Sequence, residues 1–102
     1  MTRKKFQTLV MAEADRAVTL LERKGMDYDE GNDVLARLRD DAKDLGITAE
    51  QCVLVHLKKH LAAIERWARD GELLTQPPEE RIRDAMAYLF LGLALIEEGP
   101  RR

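Results

Sequence analysis

A chain of 102 residues with a mass of 11.7 kDa is the size of one domain. Its 17 Lys and Arg stand against 19 Asp and Glu, giving a formal net charge of -2 at pH 7, and 45% of its residues are hydrophobic. That balance argues against a disordered chain, which needs fewer apolar residues, and against a general nucleic-acid binder, which needs a basic excess. The longest uncharged apolar run, Ala85 to Ile96, is well short of the ~20 residues that span a bilayer, so no membrane association is expected. The segment Met1-Thr2-Arg3-Lys4-Lys5 is basic, but Glu13 and Asp15 break the apolar stretch that a signal peptide requires. A single cysteine, Cys52, excludes an internal disulfide and fits a reducing cytoplasm.

Glycines at 25, 31, 46, 71 and 99 fall between segments of helical apolar spacing, which predicts four helices and an all-α class. The first spans about 2–24, with Phe6, Leu9, Val10, Ala17, Leu20 and Leu21 on one face. The second spans about 33–45 behind an Asn32 or Asp33 cap, with Val34, Leu35, Leu38, Ala42 and Leu45 along its stripe. A Thr48 and Gln51 capping box opens the third, about 48–69, whose core stripe reads Leu54, Leu57, Leu61 and Ile64. Pro77 and Pro78 open the fourth, about 78–98, which Gly99-Pro100 ends. The expected architecture is a single domain resembling a four-helix bundle.

Helix four carries Ile82, Ala85, Met86, Leu89, Phe90, Leu93 and Ile96 on one broad arc, expected to face the core. Its opposite side presents Glu80, Asp84 and Tyr88, then Leu91, Ala94 and Leu95. A helix apolar all round near its end is buried all round, which points to a homo-oligomer, most simply a two-fold dimer. A well-wrapped central helix in a monomer is the alternative.

Four groups of residues are candidates for chemistry. Glu13 lies inside the apolar arc of helix one, where a carboxylate is either paired with an Arg or His of a neighbouring helix or used for a ligand or metal. On helix three, His56 and His60 share a boundary face with Trp67, and Lys59 lies just beyond. Two histidines four apart can share a metal, but there is no third histidine and no HExxH pattern, so no metal is favoured there. His, Lys and Trp together suit a phosphate and a base through charge-assisted hydrogen bonds and stacking, with core-edge packing as the plain alternative. Helix four offers Glu80, Asp84 and Tyr88 one turn apart, beside Arg81. The segment Gly25-Met26-Asp27-Tyr28-Asp29-Glu30-Gly31-Asn32 reads as a polar loop without the calcium-loop order, and Asp27 and Tyr28 are its candidates.

The succession Lys24-x-x-Asp27-Tyr28, Asp33-Val34-Leu35-Ala36, Lys59-His60-Leu61-x-x-Ile64 and Glu80-Arg81-Ile82-x-Asp84-Ala85-x-x-Tyr88-Leu89 resembles small helical proteins of bacteriophages and prophages. More distantly, it is similar to the nucleotide-modification-associated helical domains of phages. The resemblance covers roughly residues 20 to 98. A looser similarity is to the MazG-type nucleoside triphosphate pyrophosphohydrolases, four-helix units that dimerise and bind Mg²⁺ through carboxylates. Their paired ExxE and ExxD motifs are missing, and helix four has Glu80-x-x-x-Asp84 instead. Arg37 stands where the phage group prefers asparagine, and Ala87-Tyr88 where it prefers Asn-Tyr.

The resemblance and the residues together give an expectation of binding and sequestration of a phosphorylated nucleotide or nucleotide-derived signal. Lys59, His60 and Arg81 would contact phosphate, Tyr28 or Trp67 would stack on the base, and Asp84 would hold a basic side chain or read a base N–H; Asp27, His56 and Tyr88 complete the site. Two alternatives stand beside it. One is a Mg²⁺-dependent pyrophosphohydrolase with Glu13, Asp27, Glu80 and Asp84 on the metal. The other is an adaptor that docks another protein on the apolar face of the last helix.

Overall fold

The computed structural model describes residues 1–28, 33–73 and 75–99, and the side chains of residues 1–23, 33–73 and 75–99. Four helices make up its regular structure: α1 (Arg3–Tyr28), α2 (Ala36–Leu45), α3 (Ala49–Asp70) and α4 (Pro78–Glu98). The class is all-α, and no strand occurs among the described residues. Nor, among those residues, is any helix long and apolar enough to cross a membrane.

Local chemistry accounts for most of the boundaries. Thr48 Oγ1 accepts the Gln51 N–H at 3.0 Å while Gln51 Oε1 accepts the Thr48 N–H at 2.9 Å, so the capping box is complete. Pro78 takes the first helical position of α4, where an amide hydrogen would have no intrahelical acceptor. Gly46 and Gly71 end α2 and α3 at φ of 70° and 82°, the left-handed conformation that closes a helix and penalises a Cβ.

Two predicted boundaries move. Asp33 Oδ1 accepts the Leu35 N–H at 3.0 Å, which folds a turn ahead of a helix that starts at Ala36 rather than at residue 33. The Asn32 alternative and the Pro100 stop lie outside the described residues. α1 runs on to Tyr28 instead of ending at residue 24, because a single glycine costs a helix only about 1 kcal/mol and Gly25 does not stop it. The backbone of Asp27 and Tyr28 therefore belongs to the last turn of a helix, not to a loop.

α3 packs along α4, α2 packs on α3, and α1 leans on α4. The buried cluster is small: Leu35, Leu38 and Ala42 of the α2 region meet Cys52 and Val53 of α3 and Leu95 of α4, with Tyr88, Leu91 and Ala94 against it. Arg39 reaches Glu98 at 3.5 Å and Asp33 at 4.0 Å, tying α2 to the end of α4.

The packed faces of α3 and α4 are rotated from those expected from hydrophobicity: of the expected rows Ala85 is buried and Met86, Leu57 and Ile64 are partly covered, while the larger apolar residues turn outward. α4 turns Ala85, Tyr88, Leu91 and Leu95 inward and leaves Ile82, Leu89, Phe90, Leu93 and Ile96 exposed. On α3 the covered row is Cys52, Val53, His56 and His60, while Leu54 and Leu61 face outward. The physical reason lies in fit: small residues on both rows, with Gly92 opposite Val53, let the helices approach closely and seat the flat rings between them.

Candidate functional site

The α3–α4 seam gathers the polar residues that the two helices place one turn apart. The Tyr88 ring stacks on His56, with centroids 4.8 Å apart and planes 8° apart, and meets His60 at 5.7 Å and 25°. Arg81 donates from its terminal nitrogen to His60 Nδ1 at 3.3 Å. A guanidinium can only donate, so Nδ1 is the acceptor and the neutral ring carries its proton on Nε2. Asp84 Oδ2 lies 4.0 Å from the same Nδ1 and accepts a hydrogen bond from Gln76 Nε2 at 3.2 Å. The Nε of Arg81 is buried and has no hydrogen-bond partner among the described residues.

Burial sets the electrostatics of this seam. His60 is pushed below its ordinary value by desolvation; the Asp84 carboxylate opposes that shift, and Arg81, Lys59 and His56 add to it. Tyr88 is pushed up, first by burial and then by the negative charge of Asp84. Burial thus favours the neutral form of His60 beside a permanent cation, and the seam sets the Arg81 guanidinium, two imidazole rings and the Tyr88 phenol around the Asp84 carboxylate.

Of the expected site residues, the fold brings together His56, His60, Arg81, Asp84 and Tyr88. Lys59 points to the exposed side of α3, Trp67 is 36% exposed further along the helix, and Glu80 is exposed at the start of α4. The side chains of Asp27 and Tyr28 lie outside the described residues.

Glu13 takes the paired option. Arg83 donates from Nε to Oε2 at 2.8 Å and from its second terminal nitrogen to Oε1 at 2.9 Å, a two-pronged ion pair that joins α1 to α4. Its carboxyl is held below the ordinary glutamate value chiefly by that hydrogen bond. The described residues hold no group of three or more His, Cys, Asp or Glu placed to share a metal ion. Of the four carboxylates suggested for Mg²⁺, Glu13, Glu80 and Asp84 belong to no such group, and the side chain of Asp27 lies outside the described residues.

Two residues were not anticipated. Arg83 reads in sequence as solvated charge, although its place on the α4 side that meets α1 could have marked it as the partner of Glu13. Gln76 precedes α4 in a polar turn, and no periodicity signals its bond to Asp84.

A narrow crevice of about 20 Å³, room for a single water, runs between α1 and α4 beside Glu13, Leu21, Arg83 and Asp84. An open groove of about 270 Å³ lies over Ile47, Gln51, Leu54, Val55 and Lys58. Neither is lined by His60 or Arg81. Comparisons with protein-family models, curated proteins and solved structures found no match to this chain. The phage and MazG resemblances rest on their short motifs alone.

Proposed function

We propose that the protein binds a phosphorylated, nucleotide-type small molecule at the α3–α4 seam and acts by holding it rather than by turning it over. The observation that carries this reading is Arg81, whose buried Nε–H has no acceptor among the described residues while its terminal nitrogen is fixed on His60. That guanidinium keeps a hydrogen-bond donor unspent, and phosphate is the anion its geometry serves best where the seam parts to admit one. Tyr88 and His56 add flat π surface beside it. The working form in this reading is a bundle-like oligomer in the cytoplasm of a bacterial host, with phage origin the source that the sequence motifs suggest.

The test is a thermal-shift series with dNTPs, nucleoside diphosphates and cyclic dinucleotides, with and without Mg²⁺, alongside assays for pyrophosphate release. The expected result is stabilisation by at least one phosphorylated ligand without turnover, lost in Arg81→Ala and partly kept in Arg81→Lys. Absence of any shift across the series refutes the reading. Pyrophosphate release abolished by Asp84→Ala would replace it with the pyrophosphohydrolase.

The outward arc of α4 favours a second reading, a protein-docking module. Leu93 and Ile96 on that arc are 61% and 77% exposed, and large apolar patches mark contact surfaces.

A further inference from the structure

We propose that a second copy of this chain covers the outward apolar faces of α1 and α4, making the protein a two-fold homodimer. The exposed surface is the first ground. The chain presents 8188 Å², whereas a compact monomer of its 11.7 kDa mass exposes about 5,900 Å². The excess of roughly 2,300 Å² is taken over the whole chain, beyond the described residues as well, and is of the order of one partner's share of an obligate homodimer interface, which buries about 2,000–5,000 Å² over both chains. The radius of gyration, 15.4 Å against about 13 Å for a compact domain of this length, says the same of shape.

Continuity with the contact inside the chain is the second ground. Phe6 and Leu9 lie seven and four residues before Glu13, so they extend the side of α1 that meets α4 at Arg83. Both are exposed, as is Val10. Phe90 lies seven residues after Arg83 and likewise extends the α4 side that meets α1, with Leu89 and Leu93 beside it, all exposed.

Self-complementarity is the third. Among the described residues, each chain carries both an α1 stripe and an α4 arc that no other helix covers. A single two-fold axis satisfies both at once, because an isologous interface presents the same patch twice. Along the arc, no charge interrupts residues 85–96, so it can be dehydrated without stranding an ion. This interface does not depend on the ligand reading: His60 belongs to α3, and Arg81 projects about 120° around α4 from Leu93, toward the α3 seam.

The test is a solution mass of the full chain by sedimentation equilibrium, paired with thermal melts over a hundredfold range of protein concentration. The expected mass is twice 11.7 kDa, with a melting temperature that rises with concentration. Leu9→Glu on α1 and Leu93→Glu on α4, each alone, are expected to halve the mass. Lys58→Glu, on α3, is expected to leave it unchanged. A helical wild-type chain of single mass with a concentration-independent melt overturns the proposal and hands the face to a different protein. A dimer whose mass neither substitution lowers overturns the assigned surface. Should either variant fail to fold, the concentration dependence of the wild-type melt decides alone.

Discussion

Arg83 grips Glu13 with both prongs of its guanidinium, at 2.8 and 2.9 Å, and so fixes α1 to α4 across 70 positions of sequence. Arg16, one turn on in α1, adds a weaker attraction at 3.9 Å. The pair holds the Glu13 carboxyl below its ordinary value, so the folded state favours the carboxylate. The stabilisation is therefore present above the ordinary glutamate pKa of 4.5 and is lost as pH falls through the lowered folded value. Glu13→Gln is expected to weaken amide protection in α1 at neutral pH while leaving α3 unchanged. Wild-type protein at acid pH is expected to lose the same protection, read by hydrogen exchange corrected for intrinsic rates.

His60 gives a second pH dependence in a different window. Arg81 and Asp84 of α4 face it, with Lys59 and His56 on its own helix and the Tyr88 ring against it. Burial lowers its pKa, so the unfolded chain takes up a proton near the ordinary value of 6.5 before the folded chain does. Stability then declines as pH falls through that region and levels off below the folded value. Thermal midpoints measured from pH 8 to pH 5 should fall, and His60→Gln should flatten the slope above pH 5. The His60 ring resonance should titrate below 6.5 in the native protein.

Helix number and class were legible because apolar spacing, the Thr48 box and the proline pair at 77 and 78 are local signals. The choice of inner face was not. Leu89, Phe90 and Leu93 outweigh Tyr88 and Leu91 in hydrophobicity, yet the second row lies inward beside Ala85, because close approach rewards small residues and flat rings. Hydrophobicity tells which rows avoid water, not whether the molecule that covers them is the same chain. The site divided in the same way: His60, Arg81, Asp84 and Tyr88 share helical registers and could be grouped from sequence, whereas the Gln76 and Arg83 contacts depend on tertiary placement.

Cys52 is fully buried between α2 and α4, and its thiol is pushed up by burial and then by the Asp41 carboxylate. Thiolate is the reactive form, and here it is both scarce and covered. Reaction with an aromatic disulfide reagent should be slow in native protein and fast in denaturant. Its rate in native buffer should track opening of the core rather than reagent concentration once reagent is in excess. Rapid stoichiometric labelling of the folded chain would contradict the packing of α2 on α3.

Gly92 is the glycine whose replacement should help. It lies mid-helix in α4 facing α3, where a Cβ would sit 3.9 Å from Val53 Cγ1, an ordinary contact. Alanine there gains roughly 0.5–1 kcal/mol from helix propensity and a less flexible unfolded chain. Gly46, at φ of 70°, has open space around its Cβ direction but a backbone that L residues enter only at a cost of about 1–2 kcal/mol. Denaturant titrations at one fixed protein concentration should therefore move in opposite directions, up for Gly92→Ala and down for Gly46→Ala. A loss at Gly92 would mean that α3 and α4 lie closer than the Val53 contact allows, and that glycine is kept there for space rather than by default.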